Sequence, residues 1–421
     1  MVIPMKNNAH VIIVGAGPVG LLTALALAQE NISVIVLEAD DKVSEAPRAA
    51  VYFPSTIIAL DELGMLDDVV AASEVGTSFA TRIPEFGFVS EIQHSVMKGI
   101  THEFQLHCGQ DELARIAIRH GAKVGVDVRL NHKVTSLSQD DHGVTLTVMT
   151  PEGERELKAE YVVGCDGARS TIRKLLNISF DGHTWPNRFV ATNVYCNFAK
   201  HGYCPANIML DPVDGGVVMS LGKPNFWRVT YGESGTLDPN THRDRILERY
   251  KRILPEGEPF ELVASNPYTI HQRAASSFRV GRTLLAGDAA HATNPLGGLG
   301  LTGGLWDGII LADLLSAVLH NEAKDDVLDK WAAERKRIFW DVASAGASEN
   351  KRMVEEQDPS QRRIDMERLQ ATANDPEAGR QMMLYPFKLI GDVIRPGSRW
   401  EGADPTPDAG IDISQRQAQF R

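Results

Sequence analysis

The first forty residues alternate between two short apolar runs and one longer apolar segment. His10–Val14 is rich in β-branched residues, which is typical of a strand buried in a parallel sheet. Leu21–Glu30 has little polar surface, as expected of a helix packed on a sheet, and Ser33–Glu38 is a second apolar run. The order predicts a strand–helix–strand unit.

The middle of the chain changes to many short alternating runs. The segments 77–102 and 181–275 alternate apolar and polar residues with frequent turns, which predicts β-rich structure. Between them, Asp111–Gly121 has helical periodicity and 124–159 reads as an antiparallel meander. The two β-rich segments therefore predict a sheet domain inserted into the first domain.

The last third of the chain again shows the pattern of the first forty residues, with a short apolar run followed by a glycine-rich loop and an apolar helical segment. Thr283–Ala290 reads as a strand ending in Gly-Asp, and after a glycine-rich loop Gly304–His320 predicts a helix. Charged residues follow at helical spacing, and we interpret Glu349–Arg380 as a solvated helical surface that is suited to a dimer contact. The tail after Pro396 is polar.

These patterns predict an α/β fold with a Rossmann-like domain, an inserted β-sheet domain and a C-terminal helical segment. The Rossmann-like domain is predicted from three stretches, the inserted domain from two, and the helical segment with its tail from one. In that order the ranges are 1–76, 104–180 and 276–345; 77–103 and 181–275; and 346–421.

Charge narrows the class of partner. The 421 residues include 43 Lys and Arg against 55 Asp and Glu, a net charge of −12. Affinity for nucleic acid depends mainly on clustered cationic side chains that release counterions, so a nucleic-acid partner is not expected.

Cysteine spacing and apolar length narrow the location. The four cysteines form neither a C-x-x-C pair nor a disulfide framework, which favours free thiols in a reducing compartment. The most apolar stretch, Leu305–Leu319, is interrupted by Asp307 and Asp313, so no membrane span is predicted. A cytoplasmic protein is expected.

The first chemical signal is the G-x-G-x-x-G sequence between the first strand and its helix. Gly15 suits the tight turn, Gly17 lets a pyrophosphate approach the backbone, and Gly20 lets the helix pack close to the strand. The helix N-terminus offers free N–H groups to phosphate. Glu38, at the end of the next strand, is placed to bind an adenosine ribose, so a dinucleotide site is predicted.

A second G-x-G-x-x-G string, Gly298–Gly303, follows no strand directly. A second nucleotide fold is therefore a poor interpretation. A glycine loop that brings bare backbone close to a flat ligand at a helix N-terminus fits better. Asp288, at a strand end, is a candidate for binding sugar hydroxyls.

Together with three further motifs, these segments resemble the single-component FAD-dependent aromatic hydroxylases of the para-hydroxybenzoate hydroxylase type. The motifs occur in that family's order over residues 11 to 320. They are the glycine fingerprint with Glu38, Arg48 in APRAA, Gln110 in GQDEL, GCDGARSTIR at Gly164–Arg173, and GDAAHATNPLGGLGLTGG at Gly287–Gly304.

The resemblance implies a role for each matching residue in binding non-covalent FAD. It assigns the ADP half to Gly15, Gly17, Gly20 and Glu38, the pyrophosphate and ribityl region to Arg48 and Gln110, and the ribityl chain to Asp288. It associates Asp166 and Gly167 with FAD and NAD(P)H, and the flavin ring with the backbone of Gly298, Leu299 and Gly300. Thr302 departs from the usual Asn, which removes one side-chain hydrogen bond to the flavin.

The resemblance also implies the reaction. NADPH or NADH reduces the flavin, dioxygen adds to form a hydroperoxide, and one oxygen is transferred to a small phenolic or aromatic substrate, with or without decarboxylation. The alternatives are epoxidation of an alkene or prenyl group, and an FAD-binding redox sensor or assembly factor without turnover. A monomer or homodimer is expected.

The sequence offers fewer candidates for catalytic residues than for FAD-binding residues. Arg228 resembles the arginine that approaches the flavin ring, and Pro295 would flank the reaction space. A phenol usually needs a polar partner for its hydroxyl, and the candidates are Tyr195, Tyr231 and His271. Candidates for the apolar wall of the inserted domain are Phe189, Val190, Tyr195, Val217, Met219, Phe226 and Trp227.

No metal is expected. His102 and His107 resemble a zinc-binding pair, but their spacing of five places them on different faces of a helix. His291 lies within the flavin motif and is interpreted as a structural histidine.

Overall fold

Two large β-sheets organise the chain, which a computed structural model describes over residues 7–48 and 50–405. The strands are β1 Asn8–Val14, β2 Val34–Leu37, β3 Val51–Tyr52, β4 Glu74–Gly76, β5 Ser78–Ile83, β6 Phe88–Gln93, β7 Gln105–His107, β8 Asp127–Arg129, β9 Lys133–Gln139, β10 Val144–Thr150, β11 Gly153–Gly164, β12 Phe180–Tyr195, β13 Ala206–Met209, β14 Gly216–Ser220, β15 Phe226–Ser234, β16 Glu261–Ala275, β17 Arg279–Val280, β18 Thr283–Leu285 and β19 His291–Ala292.

Helices cover the first sheet and close the chain. They are α1 Pro18–Gln29, α2 Pro54–Glu62, α3 Leu66–Ala71, α4 Gln110–Lys123, α5 Thr171–Leu175, α6 His242–Ile253, α7 Leu299–Leu319, α8 Val327–Ile338, α9 Ala345–Glu355, α10 Pro359–Asn374 and α11 Pro376–Leu384. A π-helical segment, Phe339–Ser344, joins α8 to α9.

The first sheet has the strand order β17-β18-β11-β1-β2-β8, with β10 and β9 added antiparallel next to β11. The pairs β11–β1, β1–β2, β2–β8 and β11–β18 are parallel. The predicted strand–helix–strand unit is β1-α1-β2. Buried apolar residues from this sheet, α1 and α7 form the main core.

The second sheet has the order β19-β16-β12-β15-β14-β13-β5-β6. Strands from 78–93 and 180–275 therefore pair within one sheet, where β5 and β13 run parallel and most other pairs antiparallel. One face packs on α6 and the other turns toward α9 and α10. The predicted fold class is confirmed.

Helix α7 differs from the prediction in two ways. It begins at Leu299, five residues before the predicted start at Gly304. By length and composition alone it is also long and apolar enough to cross a membrane, but 89% of its apolar stretch is buried inside the protein. It is the kind of helix found in the core of soluble proteins, and Asp307 and Asp313 on it pair with Arg335 and Arg395.

Candidate active site

The first glycine loop has steric reasons for two of its three glycines. Gly15 has φ +110°, and a Cβ there would lie 2.4 Å from the Cys165 carbonyl oxygen. A Cβ at Gly20 would lie 2.1 Å from the Gly15 oxygen. A Cβ at Gly17, the N-cap of α1, would meet no protein atom within 4 Å. Open space before a helix N-terminus fits a pyrophosphate.

Glu38 lies beside this loop at the end of β2. Its Oε2 accepts a hydrogen bond from the Ala16 N–H at 2.9 Å, and its Oε1 accepts one from the Asp40 N–H at 3.1 Å. The carboxylate is half-buried. Glu38 therefore fixes the glycine loop at the edge where a ribose would lie.

Asp166 is held by the start of α5. Its carboxylate accepts hydrogen bonds from Ser170 Oγ at 2.5 Å, Thr171 N–H at 2.6 Å and Ile172 N–H at 3.1 Å. Arg173 in the same motif donates to the Ala289 carbonyl at 2.8 Å. This motif therefore connects β11 to the turn that carries Asp288, and Gly167 makes the bend at φ +74°.

Asp288 follows the first-sheet strand β18, on the turn Gly287–Ala289. Its side chain is solvent-accessible, but protein surrounds it closely enough that desolvation raises its pKa, with the Arg48 cation opposing the shift. Arg48 is exposed and Gln110 is the first residue of α4.

A buried ion-pair network that the sequence did not reveal supports the same turn. Asp307 accepts hydrogen bonds from the Gly287 N–H at 3.0 Å and from Arg335 Nε at 2.7 Å, and lies 2.6 Å from His291 Nε2. The His291 ring stacks on Phe339, with centroids 4.7 Å apart. His291 is thus part of a structural network, in agreement with its interpretation.

The second glycine loop forms the N-terminus of α7. Gly298 is its N-cap with φ +69°, and a Cβ there would lie 3.1 Å from the Phe53 ring. The first N–H groups of a helix have no partner within it, which leaves those of Leu299 and Gly300 available to a ligand. Thr302 Oγ1 donates to the Gly298 carbonyl at 3.2 Å and so stays within the helix.

A cavity of about 510 Å³ lies between this loop, the second sheet and the C-terminal helices. Most of the lining is apolar. Residues from the sheet and nearby segments are Arg48, Ala50, Val51, Phe53, Pro54, Phe79, Thr81, Gln105, Ala206, Asn207, Ile208, Leu210, Val217, Met219, Arg228, Thr230 and Tyr268; the loop adds Pro295, Gly297, Gly298 and Leu299. Such a volume is typical of a small-molecule site.

Arg228 is the buried cation of this cavity, with 5% of its surface exposed. Its Nε donates to Asn193 Oδ1 at 2.9 Å, and its guanidinium also donates to the Arg48 carbonyl. Burial lowers its pKa to about 10. No carboxylate among the described residues forms an ion pair with it, so it can stabilise negative charge on a ligand.

The three polar candidates for phenol activation do not line the cavity. Tyr231 is buried on the opposite face of the sheet, where the guanidinium carbon of Arg249 lies 3.8 Å from the centroid of the Tyr231 ring. Tyr195 is 40% exposed and contacts the Phe226 ring. His271 Nδ1 lies 2.9 Å from Thr184 Oγ1. Of the predicted wall residues, only Val217 and Met219 line the cavity.

Tyr268 is a cavity tyrosine that sequence reasoning missed, and Tyr385 is another. Tyr268 pairs with Phe189 on β12, and Arg228 pairs with Asn193 on the same strand. Phe189 and Asn193 are separated by an even number of residues on β12, so both pairs lie on the same face of the sheet. Strand pairing was needed to see this, because β16 and β15 are far apart in sequence.

The C-terminal helices form the remaining wall. The prediction that Glu349–Arg380 is simply a solvated surface is wrong for the side that faces the sheet, where Met353 and Leu369 line the cavity. The π-helical segment leads directly into this wall, and the other contributors are Ala345, Gly346, Glu349, Asn350, Met382, Met383, Tyr385 and Pro386. Arg352 and Arg368 form hydrogen bonds that lower the Glu349 pKa to about 2, so this wall residue is anionic.

Fold and site together define a flavoprotein: a dinucleotide loop on a parallel sheet, and an apolar cavity beside a second glycine loop. The family model described as the FAD binding domain matches residues 8–345. The chain belongs to this family of FAD-dependent aromatic hydroxylases, and it is an FAD-dependent monooxygenase for which NAD(P)H is the typical co-substrate.

Two curated relatives match over nearly their whole length. The chain is 42% identical over 393 residues to para-nitrophenol 4-monooxygenase of Pseudomonas sp. strain WBC-3, covering 92% of this chain and 97% of the relative. It is 38% identical over 386 residues to 6-hydroxy-3-succinoylpyridine 3-monooxygenase HspB of Pseudomonas putida strain DSM 28022 / S16, covering 91% and 98%.

Solved structures agree with this assignment. The crystal structure of p-nitrophenol 4-monooxygenase PnpA from Pseudomonas putida DLL-E4 superposes with a TM-score of 0.88 at 41% identity, covering 92% of this chain and 99% of that one. Aklavinone-11 hydroxylase, in a ternary complex with FAD and aklavinone, gives 0.75 at 29% identity, covering 84% and 70%.

Proposed function

We propose that this protein hydroxylates a small, single-ring hydroxyaromatic compound. The observation that carries the proposal is an apolar cavity of about 510 Å³ lined both by the N-terminus of α7 and by Arg228, a buried cation without a carboxylate partner among the described residues. The names of the two relatives above, a nitrophenol and a hydroxypyridine monooxygenase, support a substrate of this size and chemistry.

The residues around the two glycine loops suit FAD, which when bound supplies electron transfer from NAD(P)H and oxygen activation. We assign the pyrophosphate to the open space at Gly17 and the ribose to Glu38. We further propose that Asp288 binds the ribityl chain and that Arg48 and Gln110 contact the pyrophosphate and ribityl region. Asp166 accepts hydrogen bonds from the first N–H groups of α5, and we propose that Asp166 and Gly167 also contact FAD or NAD(P)H.

The chain's own residues then do three things at the cavity. The free N–H groups of Leu299 and Gly300 and the Arg228 guanidinium stabilise negative charge that develops on the ligand. Pro295 and the apolar walls hold the aromatic ring and exclude water. Tyr268 lies on the Arg228 face and offers its hydroxyl to the substrate.

The test begins with the purified protein, which should carry a flavin spectrum. A panel of monocyclic phenols should stimulate oxidation of NADPH or NADH, and ¹⁸O₂ should label the product. Labelled epoxides from alkenes, with no phenol turnover, would support the epoxidase alternative. Bound FAD with no substrate-stimulated oxidation across the panel would contradict the proposal and favour the redox-sensor alternative.

We also propose a cytoplasmic monomer or homodimer. The free cysteines and the burial of α7 support the location. Size-exclusion chromatography with light scattering measures the oligomeric state directly.

A further inference from the structure

A cluster of buried polar side chains beside the cavity has no role in the site described so far. Gln105 is 1% exposed, and His94 and His107 are fully buried. Gln105 Nε2 and both ring nitrogens of each histidine have no hydrogen-bond partner among the described residues. Buried polar groups are normally hydrogen-bonded, so this concentration points to a ligand.

Strand geometry brings two of these side chains to one face. Gln105 and His107 are two residues apart on β7, and side chains at that spacing project from the same face of a strand. Both face Gly76 on the neighbouring β4: a Cβ there would lie 3.3 Å from Gln105 Cγ and 3.2 Å from His107 Nε2.

The histidines are neutral. Burial lowers the pKa of His107 to about 3, and the nearby His94 adds to this effect. Burial also lowers the pKa of His94. A neutral imidazole has one N–H donor and one acceptor nitrogen, so the two histidines add no net charge beside the cavity.

Gln105 is the member of the cluster that reaches the cavity. A primary amide can donate and accept at once, and a ring hydroxyl needs both a donor and an acceptor. Nitro groups and carboxylates only accept hydrogen bonds, and the cationic guanidinium of Arg228 is the stronger donor to their oxygens. The chemistry of Gln105 therefore matches a hydroxyl.

We propose that Gln105 hydrogen-bonds the ring hydroxyl of the aromatic substrate. This proposal rests on the proposed function, since it names the group that fixes the substrate in that same cavity. It makes Gln105 a specificity residue for hydroxylated rings.

The test compares two ligands that differ by one hydroxyl. The FAD-loaded protein is titrated with 4-nitrophenol and with nitrobenzene by isothermal calorimetry. Gln105→Met and Gln105→Leu should weaken 4-nitrophenol binding about tenfold and leave nitrobenzene within about twofold.

Gln93→Met is the matched control, because Gln93 is exposed on β6 and lies outside the cavity. It should leave both dissociation constants unchanged. Equal losses for both ligands in the Gln105 variants, or no loss for 4-nitrophenol, would overturn the role of Gln105 alone. FAD-loaded wild-type protein that binds no phenol of the panel would overturn the proposed function and this proposal together.

Discussion

Arg228 and Tyr231 lie three residues apart on β15, and their side chains project from opposite faces of the second sheet. Arg228 lines the cavity together with Thr230, whereas Tyr231 packs against α6 in a separate core. Successive side chains of a strand alternate between faces. On β15, therefore, only the side chains on the same face of the sheet as Arg228 can contact a substrate.

This alternation predicts different outcomes for two tyrosine variants. Tyr231→Phe removes a hydroxyl that has no hydrogen-bond partner among the described residues, so turnover should stay within about twofold of wild type. Tyr268→Phe removes a cavity hydroxyl and should lower kcat/KM about tenfold or more. Steady-state kinetics with the best phenol compare the two. A larger loss in Tyr231→Phe would contradict the assignment of faces.

The glycine loop predicts a variant that loses FAD without unfolding. Gly17→Val places its side chain in open space at φ −75°, a conformation valine adopts, so the fold should persist. The same side chain would occupy the space assigned to the pyrophosphate, and the purified variant should be colourless. Absorbance near 450 nm and circular dichroism measure this. Gly20→Val is the contrasting variant and should destabilise the fold, because its Cβ clashes with backbone.

Removal of the buried cation should slow flavin reduction. Arg228→Met keeps much of the side-chain volume but removes the charge, so the anaerobic rate of reduction by NAD(P)H should fall at least about tenfold while FAD stays bound. Arg228→Lys should recover part of the rate. Stopped-flow absorbance follows the reaction, and an unchanged rate in Arg228→Met would remove this residue from the mechanism.

The network around Asp307 predicts acid sensitivity. Burial alone would raise the pKa of this carboxylate, but the charges of His291 and Arg335 outweigh burial and lower the pKa to about 2 from an ordinary 3.8. A lowered pKa gives stability that is present above the ordinary value and lost as the pH falls toward the folded-state value. About 2 kcal/mol should therefore disappear between about pH 4 and pH 2.

Asp307→Asn tests the same network at neutral pH. Breaking a buried ion pair leaves a charge without its partner, and the free energy of unfolding should fall by about 3 to 5 kcal/mol. Asp326→Asn, at an exposed i,i+4 pair with Lys330, should cost less than about 0.5 kcal/mol. Urea denaturation compares both, and equal effects would contradict the structural role of Asp307.

The C-terminal wall predicts a change in substrate size. Met353→Ala enlarges the cavity beside Leu369, so the ratio of kcat/KM for a two-ring phenol to that for a one-ring phenol should rise about tenfold. Met149→Ala, at a 45% exposed site on β10, should leave the ratio unchanged. An unchanged ratio in Met353→Ala would place substrate selection elsewhere in the cavity.

The sequence by itself determined the local features of this protein. Gly15, Gly20 and Glu38 are close in sequence to the turn they build, and the apolar runs that flank them give a strand–helix–strand unit from short-range periodicity alone. The same reasoning predicted the second glycine loop at Gly298, because the residues that form this turn are adjacent in the sequence. Arg228 came from a resemblance to a family motif, and the structure places it at the cavity.

Tertiary structure alone decided which side chains share the cavity. Tyr231 was a candidate and Tyr268 was not, because the register of β12 with β15 and β16 sets which residues face the same side. The helices that carry Met353 and Leu369 were interpreted from the sequence as a charged surface. Their charged residues are so frequent that the few apolar positions on the opposite helical face give no clear periodic pattern. The buried partners of Asp307 come from distant segments, and no local pattern encodes such contacts.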